Sequence, residues 1–206
     1  MSFPTAAMGF YRELRQDNTR EFWAANKHRY ETEVRGPVSE LGALLRDEFG
    51  GVHVFRPYRN LRFHRDQPPY KVHQGAYVAT APACGWYLEI NADEFIAGAG
   101  FYHADPGPLA RLRALIDTER GGRRLAGLCA GLTATGWQLC GDRVQTAPRG
   151  YSQDHPRIEL LRHKTLWVAH EVEPGYSGVP AVAGRVAELW REARPLLDWL
   201  SPVLAD

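Results

Sequence analysis

The apolar residues of this chain change period at Gly50-Gly51, and that change limits the fold more than any other feature. Before the pair they recur at helical spacing, and after it they alternate. Residues 7–49 read as helical. Phe10 and Leu14 lie one turn apart, and Phe22, Trp23, Asn26 and Tyr30 continue a stripe. Gly36-Pro37 interrupts it, and Pro37 suits the first position of the next helix. There Val38, Leu41, Leu44 and Leu45 share a face, and Gly50-Gly51 ends the run.

Alternation follows. Over residues 55–63, Phe55, Leu61 and Phe63 fall on one side, while Arg56, Tyr58, Asn60, Arg62 and His64 fall on the other, so a strand is expected. Arg59 breaks the pattern by falling on the apolar side. Further strands are expected at 75–80, at 86–91 with Trp86, Leu88 and Ile90 on one face, and at 94–102 after a turn at Ala92-Asp93. Gly98 and Gly100 share a face of that last strand. Glycine weakens a strand, so either another element or a ligand packs closely there, and packing by another element is the expected reason.

The remainder is mixed. Asp105-Pro106 reads as a helix cap followed by proline, with Leu109, Leu112, Leu115 and Ile116 on the helix face. A second helix is expected at 123–132, and a short one opening at Asp154-His155-Pro156 and carrying Ile158, Leu160 and Leu161. A strand is expected at 165–172. The last helix carries Val182, Val186, Leu189, Trp190 and Ala193, and Pro195 should kink or restart it before Leu196, Leu197 and Leu200. Trp190 and Leu197 sit on apolar stripes and should be buried. These elements predict an α+β fold, with a central, mostly antiparallel sheet flanked by N-terminal and C-terminal helices. A single domain over 1–206 is expected. No strand, Gly-rich loop and helix occur in the order that a P-loop or dinucleotide fold needs.

Charge narrows the partners. Lys plus Arg number 25 and Asp plus Glu 24, so the chain as a whole is no polycation for nucleic acid or membrane, and any electrostatic signal is local. No apolar stretch approaches the length of a membrane span. The three cysteines, Cys84, Cys129 and Cys140, match no zinc or redox spacing and fit reduced thiols. With no basic, apolar leader at the start, a cytoplasmic location is expected.

The local signal is residues 55–73. Arg56, Arg59, Arg62, Arg65 and Lys71 stand against one acid, Asp66, beside His64 and His73. Such charges repel unless an anion or distant acids sit among them. Arginine forks suit carboxylate or phosphate, while Glu13, Glu21, Glu89 and Glu159 are the acids a structural reading would pair with them. Tyr70-Lys71 follows two stiffening prolines, and a phenol beside an ammonium can donate to an oxyanion or act as an acid. The second block is residues 148–164. Asp154 and His155 at a helix start offer open amides and a near-neutral acid or base, and Glu159 lies a turn on. In the structural reading Asp154 only caps the helix and His155 packs on Pro156. Tyr70, Asp154 and His155 are therefore the catalytic candidates. Arg56, Arg59, Arg62, Lys71, Tyr151, Glu159 and Lys164 are the ligand-binding candidates. The two blocks are expected to meet. No recognised metal spacing occurs among His64, Asp66, His73 and His155, no metal site is expected, and no cofactor is indicated.

Together these motifs resemble the family named domain of unknown function 2461. The N-terminal block is Phe10, Leu14, Asn18, Arg20-Glu21-Phe22-Trp23, Asn26-Lys27 and Tyr30. The central block is Phe55-Arg56, Tyr58-Arg59, Arg62-Phe63, Asp66 and Pro69-Tyr70-Lys71. Gly98, Gly100, Pro148, Gly150-Tyr151, Asp154-His155-Pro156, Glu159-Leu160-Leu161, Lys164 and the Pro195-Leu196-Leu197 and Leu200 run follow. The resemblance implies a shared fold and a shared site at the motifs, and it implies no activity. This chain departs from the pattern at Asn60, where an acid is usual, and at His64, Pro68 and Val72, where small hydroxyl residues are usual.

Two functions are consistent with these residues. One is a site for an anionic small molecule bearing phosphate or carboxylate, with acid–base catalysis open. The other is a nucleic-acid or protein-binding module using an Arg-rich sheet face, where Tyr58, Phe63 and Tyr70 offer stacking rings. The near-zero net charge disfavours nucleic acid.

Overall fold

Thr19 starts a helix because its hydroxyl accepts the free amide of Phe22 at 3.1 Å. That helix, α2 (Arg20–Arg29), follows α1 (Thr5–Gln16) and runs into a π-helical turn, Tyr30–Arg35, and then α3 (Gly36–Phe49). Proline therefore does not break the axis here. The Gly36 amide reaches back to Glu31 O, and the wider turn admits Pro37, which has no amide to donate. Gly50 ends α3 at φ +105°, as a glycine can. The computed structural model describes residues 2–59, 67–173 and 175–205.

The remaining elements are β1 (His53–Val54), β2 (His73–Ala81), β3 (Cys84–Asn91), β4 (Phe95–Phe101), α4 (Pro106–Asp117), α5 (Glu119–Ala134), β5 (Gln138–Cys140), α6 (Ile158–Leu161), β6 (Leu166–Glu171) and α7 (Val179–Ala205). The fold is α+β, with helices N-terminal and C-terminal to a six-stranded antiparallel sheet of order β1-β2-β3-β4-β6-β5. His53 pairs with Tyr77, and Leu139 pairs with Val168. Among the described residues, no helix is long and apolar enough to cross a membrane.

Several expectations need correction. The strand over 55–63 does not form within the described part, where residues 55–59 carry a single bridge between Tyr58 and Tyr70. Lys71 N–H donates to Pro57 O and Arg59 N–H to Pro69 O, at 2.8 and 2.9 Å. An antiparallel pair normally returns each bond, and neither proline can, so the ladder stops. Residues 60–63 lie outside the described residues. The short helix opens at Ile158 rather than Asp154. Of the kink or restart expected at Pro195, the restart does not occur, since α7 continues through it. Helix α5 begins at Glu119, four residues early, because Thr118 Oγ1 accepts the Gly121 amide at 3.0 Å. Strands β1 and β5 are too short to show a period and were not expected.

The chain resolves into two compact units: residues 1–78, 87–97 and 171–188, and residues 79–86, 98–170 and 189–206. In the first, Phe10, Leu14, Trp23, Tyr30, Leu41, Leu88, Ile90 and Val182 are buried. The hairpin turn there is held by Asn91 Oδ1, which accepts from the amides of Asp93 and Glu94, and Arg15 clamps Asp93 at 2.5 Å. In the second, Leu112, Ile116, Leu125, Trp137, Leu161 and Leu197 are buried, and Trp86 stacks on the fully buried Trp190 at 5.3 Å. Gly100 sits at φ +147°, and a β-carbon there would strike Leu166 O and the Trp167 backbone. Close packing by β6 is thus the reason for that glycine. Cys84, Cys129 and Cys140 form no disulfide.

Candidate functional site

In the first unit the central motif is built around Tyr70. Its ring is buried and lies flat on Trp23, with centroids 4.2 Å apart and planes 9° from parallel. Tyr58 leans on both rings and is itself 45% exposed. Asn18, at the turn between α1 and α2, imitates a neighbouring strand: Nδ2 donates to Tyr70 O at 3.0 Å and Oδ1 accepts the Tyr70 amide at 3.1 Å. Arg59 Nε donates to the same carbonyl at 3.2 Å. Burial pushes the Tyr70 phenol up, Tyr58 adds to this and Arg20 opposes it. The phenol is therefore a proton-bearing donor at neutral pH, not a base.

Lys71 follows with its Nζ 5.4 Å from the centre of the Phe55 ring. Burial pulls its pKa below the usual lysine range, and Arg56 and Arg59 pull it further, against Glu89. Among the described residues no carboxylate lies in ion-pair reach of Arg56, Arg59 or Lys71. Arg29, by contrast, is held by both Glu13 and Glu33. Glu89 is shared with other groups, since Tyr87 donates to it at 2.5 Å and His73 Nε2 lies 3.9 Å away. Burial lowers the His73 pKa despite Glu89, and Lys71 and Arg59 contribute in the same direction. Beneath them Gln74 is buried and fully used. It accepts from Tyr30 at 2.7 Å and donates to Phe55 O and Gly75 O, each at 2.8 Å. Glu89 thus acts on both Lys71 and His73, while Arg56 and Arg59 act on Lys71 with the opposite sign. Arg62, the remaining candidate of this block, lies outside the described residues.

The second block belongs to the second unit and forms a clasp on the end of α4. Arg157 donates to Ile116 O at 2.9 Å and Asp117 O at 2.8 Å, and pairs with Glu119 at 3.0 Å. A guanidinium is well placed at such unsatisfied carbonyls. Gly122 leaves the room, since a β-carbon there would overlap Arg157. His155 Nδ1 accepts the Arg157 amide at 3.0 Å, so Nε2 carries the proton that points to Asp117 Oδ1 at 3.0 Å. Tyr151 meets the His155 ring edge-on, and burial raises its phenol pKa. Glu159 pairs with Arg143 and Arg162. Asp154 and Lys164 are exposed, and Lys164 N–H donates to Asp142 O. The amides expected to stand open at a helix start are occupied: Asp154 N–H donates to Ser152 Oγ, and His155 N–H to Ser152 O.

Reading the residues one by one did not single out Asn18, Trp23, Gln74, Asp117 or Arg157. Asn18 and Trp23 do fall in the N-terminal motif block, which was the available signal. Gln74, Asp117 and Arg157 act through partners distant in sequence and carry none. Among the described residues no three His, Cys, Asp or Glu side chains gather as a metal site.

No curated protein and no solved structure matches this chain. One family model, described as conserved hypothetical protein (DUF2461), matches residues 6–199 and so takes in both motif blocks. The chain belongs to that family.

Proposed function

We propose that the first unit binds a small anionic ligand, bearing phosphate or carboxylate, at Arg56, Arg59 and Lys71. The carrying observation is the missing counter-charge: Arg56 and Arg59 add to the burial that lowers the Lys71 pKa, and none of the three has a carboxylate in ion-pair reach among the described residues. An anion removes that repulsion and gains charge-assisted hydrogen bonds. Tyr70 is rigid and protonated, which suits it to donate one more hydrogen bond. His73 is the titrating group beside the cluster. Arg62 extends the set in sequence.

Thermal-shift measurements with inorganic phosphate and a panel of phosphorylated and carboxylated metabolites test this reading. Stabilisation by at least one anion is expected. Arg56→Gln and Lys71→Gln, at positions with no ion pair to lose among the described residues, should remove the stabilisation and leave the unliganded melting temperature unchanged. An absence of stabilisation at millimolar anion, or undiminished stabilisation in both variants, overturns it. Acid–base chemistry on the bound anion is a further part of the proposal, with Tyr70 as its proton donor. Turnover that persists in Tyr70→Phe removes it.

The exposed Tyr58 ring beside Arg56 and Arg59 supports the alternative of single-stranded nucleic acid. Salt-sensitive retention of RNA that is lost in Tyr58→Ala favours that alternative over a small molecule.

A further inference from the structure

The second unit carries a hollow that none of the motifs enters. It measures about 650 Å³ and is lined by Leu115 and Thr118 at the end of α4, Arg120, Gly121 and Arg124 at the start of α5, and Trp199 of α7. A ligand-sized cavity with a mainly apolar wall and a few polar groups is the usual form of a small-molecule site. Here the charged groups are of one sign. Arg120 and Arg124 lie four residues apart on one helix face, a spacing at which like charges repel. The acid of that turn is already engaged, because Glu119 pairs with Arg123 and with Arg157. No carboxylate lies in ion-pair reach of Arg120 or Arg124 among the described residues.

The apolar part is equally defined. Leu115 and Trp199 are half-buried and face the hollow. Gly121 holds the α4–α5 turn tight, since a β-carbon there would strike Leu115 and Thr118. Further along the same faces of α5 and α7 a second hollow, of about 260 Å³, is lined by Gly127, Leu128, Gly131 and Leu196, with Glu192 at its rim. Gly127 and Gly131 have open space where side chains would stand. The two hollows give a course that is basic at one end and apolar beyond it.

We infer that this surface binds an amphipathic anion: a carboxylate or phosphate head held by Arg120 and Arg124, with an unbranched apolar chain lying on Leu115 and Trp199 and directed towards Leu128. The charge pattern excludes a second anionic group at the far end, where Glu192 would repel it. This site is independent of the basic cluster around Lys71.

Isothermal titration calorimetry with dodecanoate, below its micelle threshold, is the test, with dodecyl phosphate, hexanoate, dodecanol and inorganic phosphate as comparison probes. Saturable single-site binding of dodecanoate is expected, weaker for hexanoate and for dodecanol. Dodecyl phosphate reports which head group is preferred. Inorganic phosphate should not compete, which separates this site from the one proposed in the first unit. Arg120→Gln/Arg124→Gln should weaken dodecanoate by about tenfold or more, as expected for losing a charge-assisted contact, and Arg120→Lys/Arg124→Lys should restore part of the affinity. Because both arginines are exposed, melting temperatures should match the parent. If the double glutamine variant melts lower, Arg124→Gln alone is compared at a temperature where it is folded. Absence of saturable binding at millimolar dodecanoate, equal binding of dodecanol, or undiminished affinity in the variants overturns the inference.

Discussion

Asn18 holds Tyr70 by both of its backbone groups, donating to the carbonyl and accepting from the amide across 52 positions of sequence. The ring of Tyr70 is held separately by Trp23. Asn18→Ala should therefore cost about 1–3 kcal/mol, because two hydrogen bonds go and the Tyr70 amide loses its partner while the carbonyl keeps Arg59. Asn18→Asp cannot donate to the Tyr70 carbonyl and should be nearly as costly. Urea unfolding measures both. If either variant keeps parental stability, Asn18 does not anchor this loop.

Tyr11 is buried with its hydroxyl unpartnered among the described residues. Burial drives its phenol pKa far up, and Tyr30 and Glu89 push in the same direction. Removing an unsatisfied buried hydroxyl relieves a desolvation cost. Tyr11→Phe should leave stability unchanged or raise it by up to about 1 kcal/mol, read as a higher melting temperature. A loss above that size would mean the hydroxyl has a hydrogen-bonding partner.

Burial lowers the pKa of His73 and of His163 below the ordinary value of about 6.5. Between that value and the lower folded-state value, the unfolded chain binds more protons, so stability rises with pH across this window. The contribution is complete above about pH 6.5 and is lost as the pH falls below it. Unfolding free energies measured from pH 8 to pH 5 should decline in that range, and His73→Gln/His163→Gln should flatten the slope. The carboxylates of Glu13 and Asp93, held low by Arg29 and Arg15, add their own loss only on deeper acidification.

The clasp on α4 predicts a division of effects. Arg157→Ala strips three partners from the helix end and should cost about 2–3 kcal/mol, as hydrogen bonds to a charged group do. His155→Gln should cost less, about 1–2 kcal/mol, and should leave anion-induced stabilisation in the first unit intact. Thermal shift with and without phosphate reads both. If His155→Gln abolishes the anion effect, His155 takes part in binding.

Much of the fold was legible because period and burial are linked. Trp86, Leu88 and Ile90 alternate with Tyr87, Glu89 and Asn91, and the first three are buried while the others are not. Trp190 and Leu197 fall on an apolar stripe and are buried. The strand expected over 55–63 misled in its described part, residues 55–59, because side-chain alternation says nothing about amides, and Pro57 and Pro69 lack the donors a ladder needs. Residues 154–157 misled because the Asp-Pro spacing imitates a helix cap, whereas His155 and Arg157 are drawn to Asp117 and Ile116 instead.

By itself the sequence determined the α+β class, the helical and strand periods, the glycine ends and the concentration of cations in residues 55–73. These depend on neighbours within a turn or a strand, so local spacing carries them. Tertiary structure alone decided which cations lack a carboxylate partner among the described residues, that Asn18 serves Tyr70, that Gly100 makes way for β6, and that Arg120, Arg124 and Trp199 share a hollow. Each depends on which distant groups approach within a few ångströms, and hydrogen bonds, ion pairs and close packing act only at that range.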